Sequence, residues 1–72
     1  MLVQERQQFV LEGLPNVSGV MAQRLLAHFG SVRAVMEATE DQLMEVKGVG
    51  KVIARGIRET IDSRYFSAEK DG

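Results

Sequence analysis

The stretch EVKGVGKVIARGIRE, residues 45–59, decides how this chain is read. Two glycines flank Val49, and Lys51 follows at once. A glycine pair of this kind marks a sharp turn with backbone angles that other residues resist. Behind it Ile53, Ala54, Ile57 and Ile61 form the apolar stripe of a helix expected from about Gly50 to Ser63. Backbone N–H groups at such a turn and helix start make an anion site, and phosphate is the usual anion. Two familiar nucleotide loops do not fit. A P-loop needs glycine where Glu45 stands and a hydroxyl where Val52 stands. A dinucleotide fingerprint needs a third glycine at Ile53 and a strand before it.

The pattern occurs twice. A shift of 32 residues lays LPNVSGVMAQRLL, from Leu14, on VKGVGKVIARGIR, from Val46. Leu14 then meets Val46, Val17 meets Val49, Ala22 meets Ala54, Leu25 meets Ile57 and Phe29 meets Ile61. Asn16 and Ser18 stand in the places of Gly48 and Gly50. Asparagine tolerates left-handed backbone angles better than most residues, so the first turn is expected to keep its shape. In each copy the apolar residue inside the turn pins it to the helices, and the later alanine lets two helices approach.

The rest of the chain is helical in pattern. An opening helix is expected over 3–13, with Phe9, Val10 and Leu14 on one face. Ala22, Leu25, Leu26 and Phe29 recur at amphipathic spacing, and Gly30 follows as a left-handed cap. Ser31 is a natural N-cap for a short helix carrying Val32, Val35 and Met36. Thr39 and Gln42 have capping-box spacing, with Glu40 and Asp41 where the helix dipole favours acids. Leu43, Met44 and Val46 supply the apolar side of that helix. Five short helices result, and since isolated helices under ~12–15 residues are marginal in water, they must share a core.

Composition bounds the reading. Seventy-two residues allow one domain with a small core, placed at 1–66, with a polar, frayed tail at 67–72. There is no cysteine, 44% of residues are hydrophobic, and no signal or membrane-spanning pattern is seen. These features lead us to expect an intracellular protein, in cytoplasm or nucleoid if prokaryotic and in the nucleus if eukaryotic. The net charge of -1 speaks against nucleic acid, but the charges are segregated. From Lys47 to Arg58 the chain carries Lys47, Lys51, Arg55 and Arg58 and no acid, whereas Glu37, Glu40, Asp41 and Glu45 crowd the stretch before it. His28 is the single histidine; without metal-ligand companions it reads as a surface or helix-end residue. Ser18 and Ser31 have no neighbouring base, so nucleophilic catalysis is unsupported.

The two copies resemble tandem helix-hairpin-helix motifs, which bind DNA backbone without reading sequence. VKGVGKVIA, from Val46, matches the motif, and LPNVSGVMA, from Leu14, is a degenerate copy. The connecting LLAHFGSVRAVMEATEDQLMEV, from Leu25, resembles the phrase that joins the two motifs in this family, so the resemblance covers about Phe9 to Ile61. The opening ERQQFVLEGLPNVSG, from Glu5, narrows it to the C-terminal domain of the XPF/Hef structure-specific endonucleases, archaeal members in particular. The C-terminal module of UvrC is the second choice.

The resemblance implies an all-α fold of two helix-hairpin-helix motifs joined by a connector helix, with hairpins at about 14–19 and 46–51. It implies a DNA-repair module without chemistry or cofactor of its own. Its partners would be duplex, fork or flap DNA, a second copy of the chain, and a nuclease domain of the same polypeptide, with or without a helicase. Gly48, Val49 and Gly50 would form the phosphate-binding hairpin, reinforced by Lys51 and Arg55 and flanked by Lys47 and Arg58. Asn16, Val17, Ser18 and Gly19 take the hairpin position in the first copy, where Gln23 and Arg24 follow and a weaker grip is expected. By themselves the late aromatics could close the monomer core or anchor a partner; the resemblance implies a dimer interface of Phe66 as anchor, Tyr65 as partly buried packing, and Ile61. The rival reading is a dimerisation or protein-docking module with little DNA binding of its own.

Overall fold

The computed structural model describes residues 2–67 and contains five helices and, among the described residues, no strand. They are α1 (Val3–Glu12), α2 (Gly19–Phe29), α3 (Val32–Glu37), α4 (Glu40–Leu43) and α5 (Lys51–Asp62). Of the tail expected at 67–72, residues 68–72 lie outside the described residues.

Local chemistry sets most boundaries. The Ser31 side chain accepts from the Ala34 amide and starts α3. Thr39 and Gln42 exchange both bonds of a capping box, with Glu40 and Asp41 in the first turn of α4. Gly30 closes α2 in the left-handed region, at φ 90°, its N–H donating to the Leu26 carbonyl.

The 32-residue repeat is visible in the backbone. Leu14 N–H donates to the Leu11 carbonyl at 3.0 Å, and Val46 N–H to that of Leu43 at 3.1 Å. Val17 bonds Leu14 at 3.2 Å, as Val49 bonds Val46 at 3.0 Å. Ala22 N–H reaches the Ser18 carbonyl at 2.8 Å, as Ala54 N–H reaches that of Gly50 at 2.9 Å. Both turns have one residue at positive φ, Asn16 at 62° and Gly48 at 93°. Asparagine therefore does in the first copy what glycine does in the second.

The core is paired in the same way. Leu11, Leu43, Leu25, Ile57, Ala22 and Ala54 are completely buried, and Leu14, Val46, Val17 and Val49 nearly so. Val35 of the connector α3 joins them, with Leu26, Phe29, Val32, Met36, Ile53 and Ile61 packed around the rim. Burying each large aliphatic side chain contributes about 1.5–3 kcal/mol, so this cluster is the main reason the short helices hold together.

Each hairpin also sits on the second helix of the other half. A Cβ at Gly56 in α5 would meet Pro15 Cγ at 3.4 Å. One at Gly48 would meet Met21 Cε at 3.0 Å and Arg24 Nη1 at 3.2 Å, both from α2. Gly56 and Arg24 are themselves 32 residues apart, so the halves clasp each other about a pseudo-two-fold.

Three expectations are corrected. Phe9 and Val10 do not face the core: Phe9 is 71% exposed and Val10 is also exposed, while Leu11 is the residue turned inward. Val10 and Leu14 have helical spacing, but α1 stops at Glu12, so Leu14 enters the core from the turn rather than from the face of Val10. Met44 is exposed, because α4 lasts one turn and only Leu43 and Val46 point inward. Tyr65 is 86% exposed rather than partly buried, since α5 ends at Asp62 and the chain leaves it extended.

The two glycines of the second hairpin are expected to respond differently to alanine. Gly48→Ala forces a side chain into a left-handed angle and into Met21 and Arg24, and is expected to cost about 1–3 kcal/mol. Gly50 has φ -92° and open space around its notional Cβ, so Gly50→Ala is expected within about 0.5 kcal/mol of the parent. Thermal melts separate them, at roughly 4–8 °C per kcal/mol for a domain of this size. Equal melting temperatures would refute the difference in backbone demand.

Candidate functional site

In the second hairpin the two glycines have different roles. Gly48 supplies the turn angle, whereas Gly50 is not left-handed and its contribution is space: nothing lies within 4 Å of where its Cβ would be. As N-cap of α5, Gly50 has no side chain to satisfy the first amides of that helix. Those N–H groups, at the positive end of the helix dipole, remain available to an anion. Val49 is 5% exposed, so its side chain anchors the hairpin in the core and only its main chain can meet a ligand. Lys51 and Arg55 are exposed on successive turns behind the hairpin.

The first hairpin has the same backbone and a different surface. Ser18 caps α2 itself, accepting from the Met21 amide at 3.3 Å. Gly19 stands where the second copy has Lys51, and a Cβ there would meet Gln8 Nε2 at 3.0 Å and Glu12 Oε2 at 3.6 Å. Gln8 donates to Glu12 and accepts from Gln23, so side chains of α1 and α2 lie over this helix start. A carboxylate and a built-in cap thus occupy the position that is open in the second copy. Sequence reasoning treated Ser18 as a missing glycine; N-cap propensity was the signal that would have found its role.

The remaining site residues fall into two clefts related by the repeat. Asn16 lines an open groove of about 370 Å³ with Lys51, Val52, Arg55, Gly56 and Glu59. The first hairpin therefore adds its asparagine to the basic face of α5. Arg24 and Lys47 line another, of about 440 Å³, with Ala27, His28, Glu45 and Val46. There Arg24 Nη1 donates to the Lys47 carbonyl at 3.4 Å, and His28 Nε2 lies 3.3 Å from Glu45 Oε1.

Arg58 lines neither of these clefts but a third groove, with Glu40, Arg55, Glu59, Asp62 and Ser63. Its guanidinium donates to the carbonyls of Met36 and Ala38, the latter at 2.9 Å, and pairs with Asp62 one turn on. It ties the end of α3 to α5 and is structural. Local spacing gave no sign of this, because its partners lie 20 and 22 residues away. At the C-terminal end Phe66 is 76% exposed, with the Arg64 guanidinium 5.6 Å from its ring centre, and Ile61 is half-buried.

Among the described residues no group of three or more His, Cys, Asp and Glu side chains is gathered as a metal ion would require. No described helix is long and apolar enough to cross a membrane.

A family model described as a helix-hairpin-helix motif matches residues 8–68. The chain is 48% identical over 65 residues to a protein of Methanocaldococcus jannaschii whose name assigns it an ATP-dependent RNA helicase role; the match covers 90% of this chain and 8% of that one. It is 39% identical over 54 residues to UvrABC system protein C of Renibacterium salmoninarum, covering 75% of this chain and 8% of the relative. In structure it resembles XPF from Aeropyrum pernix in complex with DNA, with a TM-score of 0.84 at 28% identity, over 90% of this chain and 32% of that one. The chain thus spans 8% of each of these two relatives and 32% of the XPF chain.

Arg58→Ala removes the two carbonyl contacts and is expected to lower stability by about 1–3 kcal/mol in urea titration. Ligand affinity measured well below the midpoint is expected to be unchanged. A large affinity loss with parent stability would return Arg58 to the binding surface.

Proposed function

The chain belongs to the helix-hairpin-helix family, and from that premise we propose that it is a DNA-binding module that holds backbone phosphates without reading sequence. The observation that carries this reading is the open helix start at Gly50, flanked by the exposed Lys51 and Arg55. A phosphate there accepts from free amides, gains from the helix dipole, and meets two cations on the next turns. The likeness to an XPF solved with DNA supports the assignment. Gly48, Val49 and Gly50 contribute main chain. Asn16 contributes from the other hairpin through the shared groove, whereas Ser18 and Gly19 contribute little because their helix start is already capped and covered. No catalytic step and no cofactor are assigned to the module. It serves a longer polypeptide carrying a DNA-repair nuclease, which it positions on duplex or branched DNA.

We further propose that it works as a homodimer. Tyr65 and Phe66 stand exposed next to each other, and an exposed aromatic pair fits a partner surface better than water. The same observation favours the second reading, a protein-docking module. The two readings separate on nucleic acid binding.

Lys51→Glu with Arg55→Glu is expected to weaken binding to a splayed-arm DNA by roughly tenfold or more at about 0.1 M salt, read by fluorescence anisotropy. Unchanged affinity with an intact helical spectrum would remove the second hairpin from the interface and leave the docking reading. Sedimentation tests the dimer separately. Phe66→Ala is expected to shift the parent dimer toward monomer, and a dimer of unaltered strength rules out Phe66 as the anchor.

A further inference from the structure

The cleft lined by Arg24, His28, Glu45 and Lys47 is the repeat-related counterpart of the groove at Lys51 and Arg55. Each lies between the hairpin of one half and the second helix of the other. Lys47 corresponds to Pro15, Arg24 to Gly56 and His28 to Thr60. The cations have therefore changed places: in one groove the helix supplies them, and in the other the hairpin and the helix supply one each.

We infer that this second cleft, built from Arg24, Lys47 and His28, takes a second backbone phosphate of the bound nucleic acid, with Glu45 as its internal counter-charge. The inference rests on the proposed DNA binding and extends it to a contact that hairpin motifs alone would not locate. Arg24 uses one N–H on the Lys47 carbonyl, which fixes the guanidinium at the cleft and leaves the rest of its donor fork for a ligand. Lys47 makes no ion pair among the described residues. His28 stacks edge-on against Phe29 and meets Glu45 through Nε2. The charged groups lining the cleft are Arg24 from α2 and Glu45 and Lys47 from the segment between α4 and α5. They sum to one positive charge.

Affinity for a splayed-arm DNA is measured at several salt concentrations for the parent, Lys47→Ala and Arg24→Gln. Arg24→Gln is expected to bind several-fold more weakly than the parent. Lys47→Ala is expected to reduce the slope of log affinity against log salt by about one unit. Both side chains are exposed, so folding is kept and is checked by the helical spectrum. Parent-like affinity and salt slope in these variants, while Lys51→Glu with Arg55→Glu still weakens binding by roughly tenfold or more, would overturn the second cleft and leave the first. Failure of the parent to bind DNA at all would overturn both.

Discussion

The reciprocal seating of the two hairpins is the constraint on which the rest of the structure depends. Pro15 rests on Gly56, and Gly48 rests on Met21 and Arg24. Neither half can place its turn without the helix of the other. That is why five short helices, each too short to persist alone, form one cooperative unit around a small core. The seating also explains why each cleft is lined from both halves. A turn that lies on the opposite helix carries its side chains to that helix's edge, so Asn16 reaches the groove of Lys51 and Lys47 reaches that of Arg24.

Much of this was legible because the chain states its fold twice. Leu14 with Val46, and Leu25 with Ile57, are weak signals singly and strong ones as pairs at a fixed offset. The turn at Asn16 was legible for a chemical reason, since asparagine is one of the few residues that accept a left-handed angle. The caps at Ser31 and Thr39 and the end at Gly30 follow from side chains acting within four residues of themselves. What could not be read depended on where helices stop or on distant partners. Phe9 lies within α1 and is exposed because the helix turns Leu11 inward instead. Arg58 looks like one more cation on a basic stretch, and only the approach of α3 shows its two carbonyl partners.

The copies share a backbone and differ in what covers the helix start. Ser18 satisfies an amide of α2 from within, and Gly19 sits under Gln8 and Glu12. Gly50 leaves the corresponding amides open, and Lys51 replaces Gly19. A self-capped helix gains stability, typically ~1 kcal/mol, and gives up its anion site. An open start forgoes that stability and keeps the site. The first half is therefore suited to holding the fold and the second to meeting a ligand, which gives a physical reason for the loss of glycine at Ser18 but not at Gly50.

The charge distribution follows the same division of labour. Many of the acids are engaged locally: Glu40 and Asp41 at the start of α4, Glu12 with Gln8, Glu45 with His28, and Asp62 with Arg58. Among the described residues Lys47, Lys51 and Arg55 make no ion pair. A net charge of -1 means that the domain exerts no attraction on a polyanion beyond a Debye length of about 8–10 Å. Within that distance the basic clefts dominate. Such a module gains little from long-range steering and depends on being delivered close to its ligand. Tethering to a longer polypeptide, or pairing with a second copy, as proposed, would supply that proximity by raising effective concentration without adding a contact. A near-neutral chain with local basic clefts is thus better suited to be one element of a multivalent assembly than an autonomous DNA binder.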